Sequence, residues 1–155
     1  MIMLASQNEG MEKVHEAAKA LFQLTWWLQR KGPLRAGLEP LPATEVAILG
    51  YVEDHEGVGV TEVGIALNMK APNVSAAVRA LVERGLLEKV ADQHDKRKAL
   101  LFITELTRRN RKSIDRAVTG SLEEVLEGLS PEHRESLFAS LAALSEVAER
   151  LRSHG

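Results

Sequence analysis

Two sets of residues in this 155-residue chain could carry chemistry. The first is the acid–base and metal-ligating set, with five histidines and 22 carboxylates. Their spacing fails each template. His15-Glu16-Ala17-Ala18-Lys19 is one residue from a zinc-binding H-E-x-x-H, but Lys19 stands where the second imidazole is needed. A protonated lysine cannot ligate zinc. The histidines at 15, 55, 94, 133 and 154 never fall three or four residues apart, so no two share a helix face. Glu53-Asp54-His55-Glu56 gathers candidate ligands and reads as a solvated helix end. Gly57-Val58-Gly59-Val60-Thr61-Glu62 begins like a dinucleotide loop, yet Glu62 replaces the third glycine and no strong strand precedes it. Neither a P-loop nor G-x-S-x-G occurs. The expectation is no catalytic residue, no metal and no cofactor. With no cysteine, disulfides, thiolate-bound metals and thiol redox switching are also excluded.

The second set is cationic and small polar residues. The whole chain carries a net charge of −2, which argues weakly against a polyanionic partner. The average conceals a pattern: residues 1–69 carry −4, residues 70–112 carry +6 and residues 113–155 carry −4. A basic segment between acidic ends is an electrostatic footprint for phosphate, and the ends orient it. Within it, helical spacing puts Val74, Ala77, Val78 and Leu81 inward and Asn73, Ala76 and Arg79 opposite, with Ser75 on the flank. That outer face is narrow enough for a DNA major groove. There asparagine can pair with adenine, arginine with guanine, and serine with phosphate or base. An ordinary polar helix surface is the alternative for this helix taken alone.

The elements that must hold these residues are mostly helical. Val14, Ala17, Leu21, Leu24 and Leu28 form one stripe, which predicts a helix from about Met11 to Arg30, ended by Gly32-Pro33. A proline-rich connector over residues 33–42 leads to a second helix, about Ala43 to Glu56, with Val46, Ile48, Leu49 and Val52 inward. A short extended stretch follows, then a helix capped by Thr61 and ending near Asn68. The next helix runs from Pro72 to Arg84 and stops at Gly85. Leu86–Val90 and Arg97–Ile103 read as a β-hairpin with a charged tip. A long helix from Thr104 places Ile114, Val118, Leu122, Val125 and Leu129 on one face. Ser130-Pro131 opens a last helix with Leu137, Leu141, Leu144, Ala148 and Leu151 spaced 4, 3, 4, 3. No segment approaches a membrane span, and Met1–Ser6 does not read as a signal peptide, so a cytoplasmic protein is expected. The order is that of a winged helix-turn-helix with helices on either side. The fold class is mostly α with a small β-wing: residues 43–107 as the winged region, 11–32 and 113–155 as a helical dimerisation region.

Val63-Gly64 through Met69, Pro72-Asn73-Val74-Ser75, Leu81, Gly85-Leu86-Leu87 and above all Asp95-Lys96-Arg97 before Leu101-Phe102-Ile103-Thr104 resemble the MarR family of winged-helix regulators. The motifs cover about residues 43–107, and the helix order nearly the whole chain. The resemblance implies a homodimer that binds double-stranded DNA, usually as a repressor, released in many members by a small aromatic or anionic effector. It implies that Arg97 enters the minor groove, oriented by Asp95. Lys70, Lys96 and Lys98 are then phosphate contacts, and Pro72, Asn73, Ser75, Ala76 and Arg79 belong to the recognition helix. An effector pocket between dimer helices and wing would use Phe22, Trp26, Trp27 and Arg30.

The apolar stripes lead to the same dimer independently. Val14, Leu21, Leu28, Leu137, Leu141, Leu144 and Leu151 are more apolar surface than one small winged domain covers. An intramolecular helical bundle is the alternative. Twofold symmetry would require a pseudo-palindromic operator. The competing function class is a winged-helix protein-interaction module without DNA binding. Three positions depart from the family pattern. Lys70 replaces a Ser or Thr cap, Gly64 replaces an alanine, and Glu105-Leu106-Thr107 lacks a glycine.

Overall fold

The computed structural model describes the backbone of residues 2–93 and 98–153 and the side chains of 9–93 and 98–151. The chain divides into two compact units, Met1–Ala117 and Val118–Gly155. The first contains α1 (Ile2–Arg35), α2 (Ala43–Asp54), β1 (Val58–Gly59), α3 (Val60–Ala66), α4 (Ala71–Glu83), β2 (Leu87–Ala91), β3 (Ala99–Ile103) and the start of α5 (Glu105–Glu127). The second contains the rest of α5, then α6 (Pro131–Ala139) and α7 (Leu141–Ser153). The fold is mostly helical with one small antiparallel sheet in the order β1-β3-β2.

A single apolar core organises the first unit. Ile48, Leu49 and Val52 of α2, Val63 of α3, and Val74, Ala77, Val78 and Leu81 of α4 are buried together with Leu86, Leu87, Leu101 and Ile103. The hairpin register sets Leu87 opposite Ile103 and Lys89 opposite Leu101, so one face of the ladder supplies the core. Val58 pairs with Leu101, which closes the sheet over the start of α3.

Several helix boundaries differ from expectation, each for a local reason. α1 runs through both Gly10 and Gly32-Pro33. Its end is set by Gly37, whose φ of +71° a side chain would resist. The Gly37 N–H bonds the Leu34 carbonyl at 3.1 Å and the Leu38 N–H bonds the Pro33 carbonyl at 2.8 Å, a Schellman closure. In α2, Val46 is exposed and Glu45 is buried in its place. The inward stripe is Glu45, Ile48, Leu49 and Val52, from which Val46 lies roughly 100° around the helix. Thr61 is not the cap of α3. Gly59 occupies that position, and its N–H is bonded by the Glu62 carboxylate at 2.8 Å. The predicted last helix is two helices, interrupted at Ser140. The Ser140 hydroxyl donates to the Leu137 carbonyl at 2.7 Å, a local bond that apolar spacing cannot reveal. Ser130 does cap α6, accepting from the His133 N–H at 3.2 Å.

Gly64, which stands where the family pattern has alanine, leaves room for a methyl group. A Cβ there would meet Val74 Cγ2 at 3.4 Å and the Met69 carbonyl at 3.5 Å, ordinary contact distances. Gly64→Ala is therefore expected to raise unfolding stability by about 0.5–1 kcal/mol through helix propensity. Urea denaturation followed by circular dichroism measures this, and a loss of stability would show that the two helices cannot accommodate the methyl.

Candidate nucleic-acid interface

The helix-turn-helix is built by the join of α3 and α4. Asn68 takes the left-handed conformation, φ +49°, which asparagine tolerates better than most side chains. The Asn68 N–H bonds the Ile65 carbonyl and the Met69 N–H bonds the Gly64 carbonyl at 2.9 Å, so α3 closes with the hydrogen bonds of a Schellman motif. The chain then turns at Lys70, the N-cap of α4, with backbone angles suited to a cap but no side-chain bond to the helix. Pro72 follows in the first turn, where a missing N–H costs little. At the far end Gly85, φ +70°, closes α4 through Leu86 N–H to the Leu81 carbonyl at 2.8 Å.

Burial sorts α4 into two faces. Val74, Ala77, Val78 and Leu81 point into the core, as helical spacing predicted. Lys70, Pro72, Asn73, Ser75, Ala76 and Arg79 are all exposed. A shallow open depression of about 350 Å³ lies beside this face, lined by Pro42, Thr44 and Glu45 of the α2 start and by Asn73, Ala76 and Ala77. Another, about 420 Å³, lies between α3 and α4 and includes Gly64, Ile65, Asn68 and Ser75.

The wing strands run to Ala91 and from Ala99, with the Asp92 N–H bonding the Lys98 carbonyl at 3.0 Å. Lys98 is exposed. Asp95, Lys96 and Arg97 lie outside the described residues.

Three arginines of the basic segment are tied down. Arg84 Nη1 lies 3.4 Å from Glu45, whose carboxylate is nearly buried in the first turn of α2. Arg108 bonds Glu56 at 2.6 Å, and Arg111 bonds Glu53. The hydrogen bond to Glu53 raises the Arg111 pKa further above its ordinary value, against the opposing effect of burial. The residues 70–112 are thus less cationic toward solvent than their count implies, because part of their charge is matched by carboxylates of α2 and of the turn after it. The end of α2 is solvated as expected, with Asp54, His55 and Glu56 exposed, and within it Glu53 and Glu56 also carry these ion pairs. Among the described residues, no group of three or more His, Asp or Glu is placed to hold a metal.

The junction into α5 uses Thr104 and Thr107. The Thr104 hydroxyl donates to the Gly85 carbonyl at 2.7 Å and accepts from the Thr107 N–H at 3.2 Å. The buried Thr107 hydroxyl donates to the Leu86 carbonyl at 2.6 Å. Where the resemblance led one to expect a glycine, a hydroxyl fastens the joint. Spacing alone did not single out Thr107. Glu45 was detectable, since it shares the i, i+3, i+4, i+7 stripe of Ile48, Leu49 and Val52.

The apolar residues expected at a dimer interface are not covered in the single chain. Val14, Leu21, Leu137, Leu141 and Leu151 are exposed, and Leu28 and Leu144 are half-buried. Phe22, Trp26, Trp27 and Arg30 are exposed as well. The two indoles meet edge to face at 4.6 Å, with Arg30 over Trp26 at 5.5 Å and Lys31 over Trp27 at 4.7 Å. Neither depression described above includes these residues.

Three short helices around one core, with the third helix presented outward and an antiparallel wing behind it, define a winged helix-turn-helix. The family model of the MarR family matches residues 39–98. Over that winged segment the chain is similar to the MarR family. No curated relative matches the chain by sequence. Among solved structures, the transcriptional regulator Tm0710 of Thermotoga maritima superposes with a TM-score of 0.71 at 20% identity, covering 90% of this chain and 98% of its own. The multiple antibiotic-resistance repressor MarR of Listeria monocytogenes gives 0.68 at 14% identity, covering 92% and 96%. FabT of Streptococcus pneumoniae, solved in complex with DNA, gives 0.58 at 19% identity, covering 90% and 98%. At these identities the likeness is one of fold. No helix among the described residues is long and apolar enough to cross a membrane.

Lys70 has cap geometry without a capping side chain. Lys70→Ser is expected to raise unfolding stability by about 0.5 kcal/mol, since serine can accept from the Asn73 N–H, which the Lys70 carbonyl already receives at 2.9 Å, while Pro72 has no N–H to offer. An unchanged denaturation midpoint would mean that the introduced hydroxyl does not reach it.

Proposed function

We propose that this protein is a sequence-specific, DNA-binding transcriptional regulator acting as a homodimer, in the manner of a repressor. The observation that carries this reading is the division of α4 into a buried apolar stripe and an exposed face of Lys70, Asn73, Ser75, Ala76 and Arg79. A face of that width and chemistry suits the major groove. Lys70, Lys96 and Lys98 contact phosphates in this reading. Arg97, oriented by Asp95, inserts into the minor groove beside the site. The winged fold is shared with FabT, which was solved on DNA.

The region 43–107 reads the operator, and 11–32 with 113–155 form the dimer. Exposed Val14, Leu21, Leu137, Leu141 and Leu151, with half-buried Leu28 and Leu144, support the pairing. A second copy would remove this apolar surface from water, at about 25 cal/mol per Å² covered. Twofold symmetry then calls for half-sites about one helical turn apart. A small aromatic or anionic effector would meet Phe22, Trp26, Trp27 and Arg30, where two indoles already carry cations over their rings.

Binding to duplex DNA should weaken steeply with salt, with a negative slope of log affinity against log salt set by the number of phosphates neutralised. Lys70→Ser should make that slope shallower by about one. Arg97→Ala should weaken binding at fixed salt by at least tenfold and leave the dimer intact by sedimentation. Equal affinity of this variant and the parent would remove Arg97 from the interface. No duplex affinity at low salt would favour the protein-interaction module instead.

A further inference from the structure

Resting on the DNA-binding reading above, we infer that each half-site contains an adenine and a guanine two to three base pairs apart with a thymine between them. Asn73, Arg79 and Ala76 respectively select these bases. The three residues lie in one row of α4, each three positions from the next, and all are exposed while their neighbours Val74, Ala77 and Val78 are buried. Six residues of α-helix rise about 9 Å. At about 3.4 Å per base along a strand, the ends of the row meet bases between two and three steps apart.

The side chains assign the bases. The Asn73 amide offers one donor and one acceptor, the pattern complementary to adenine N7 and N6–H. Arg79 offers only donors, which matches the two acceptors of guanine. Ala76 presents a methyl group with no polar atom, which favours the thymine methyl by contact. The flanking residues do not compete. Pro72 has no side-chain donor or acceptor, and the Ser75 hydroxyl serves either role, so it discriminates weakly. No acidic residue occurs in α4 before Glu83, so no carboxylate on this face can accept from cytosine N4–H.

Arg79 is also the arginine that the exposed face of α4 presents. Arg84, Arg108 and Arg111 are held by Glu45, Glu56 and Glu53, whereas Arg79 has no ion-pair partner among the described residues. Arg79 is the one arginine within α4, at the end of the row opposite Asn73.

Selection of bound duplexes from a random pool by the full-length protein tests this, with Asn73→Ala, Arg79→Ala and Arg79→Lys selected in parallel. The native protein should enrich half-sites with A and G at that separation and T between. Asn73→Ala should relax the adenine position by about tenfold or more and keep the guanine, and Arg79→Ala should do the converse. Arg79→Lys should retain the salt slope of the native protein and still lose guanine preference, because an ammonium cannot make the forked contact. A clear motif lacking the A–G pair would overturn the inference and leave the DNA-binding reading standing. So would Arg79 variants whose motif is unchanged while the salt slope falls, the mark of a phosphate contact. Enrichment of no sequence at all would overturn the sequence-specific reading itself, and the inference with it. All three substitutions are at exposed positions, and unchanged helical circular dichroism confirms that the fold is intact.

Discussion

Burial of Val74, Ala77, Val78 and Leu81 is the constraint on which the rest of the winged unit depends. A helix in a small domain can hide one stripe, and the opposite stripe then has no choice but to face water. These four residues meet Ile48, Leu49 and Val52 from α2, Val63 from α3, and Leu87, Leu101 and Ile103 from the sheet. The packing that stabilises the unit is therefore also what presents Asn73, Ala76 and Arg79 together. Replacing the stripe would do more than weaken the fold. It would let α4 rotate, and each step of about 100° exchanges one face for another.

Around this apolar centre, polar bonds set the joints. Asn68 closes α3 and Gly85 closes α4, both with positive φ. The Leu86 carbonyl receives the Thr107 hydroxyl, while Thr104 bonds the Gly85 carbonyl, so α5 begins fastened to the turn that ends α4. On its other flank α5 is held to the end of α2 through Arg108–Glu56 and Arg111–Glu53. Ion pairs on a partly solvated surface add modest stability. Their larger effect here is on the field: they cancel positive charge along α5 and leave uncancelled charge on the outward side of α4.

Much of the fold was legible because it follows from periodicity. The inward stripe of α4, the Ser130 cap of α6 and the two paired strands of the wing all depend on residues close to one another in sequence. Where expectation and structure differ, the cause is a bond or an angle that apolar spacing does not carry, local in all but one instance. Gly32-Pro33 looked like a stop, yet Gly37 is the glycine whose conformation closes α1. Val46 looked like core by type, but its angular position excluded it and admitted Glu45. The 4, 3 spacing from Leu137 to Leu151 is continuous, and only the hydroxyl of Ser140 marks the break. Thr107 carries no local signal, because its partner lies 21 residues away.

What the amino-acid order determined by itself was the helical composition, the winged arrangement, the two faces of α4 and the segregation of charge into acidic, basic and acidic thirds. These are local properties, set by residue type and by the helical period of about 3.6 residues. Tertiary structure alone decided which charges remain available. Arg84, Arg108 and Arg111 count toward the basic segment in sequence, but packing brings Glu45 and Glu53 of α2 and Glu56 just beyond it against them. A charge is a property of a residue, whereas its neutralisation depends on a neighbour across space, up to 58 positions away along the chain.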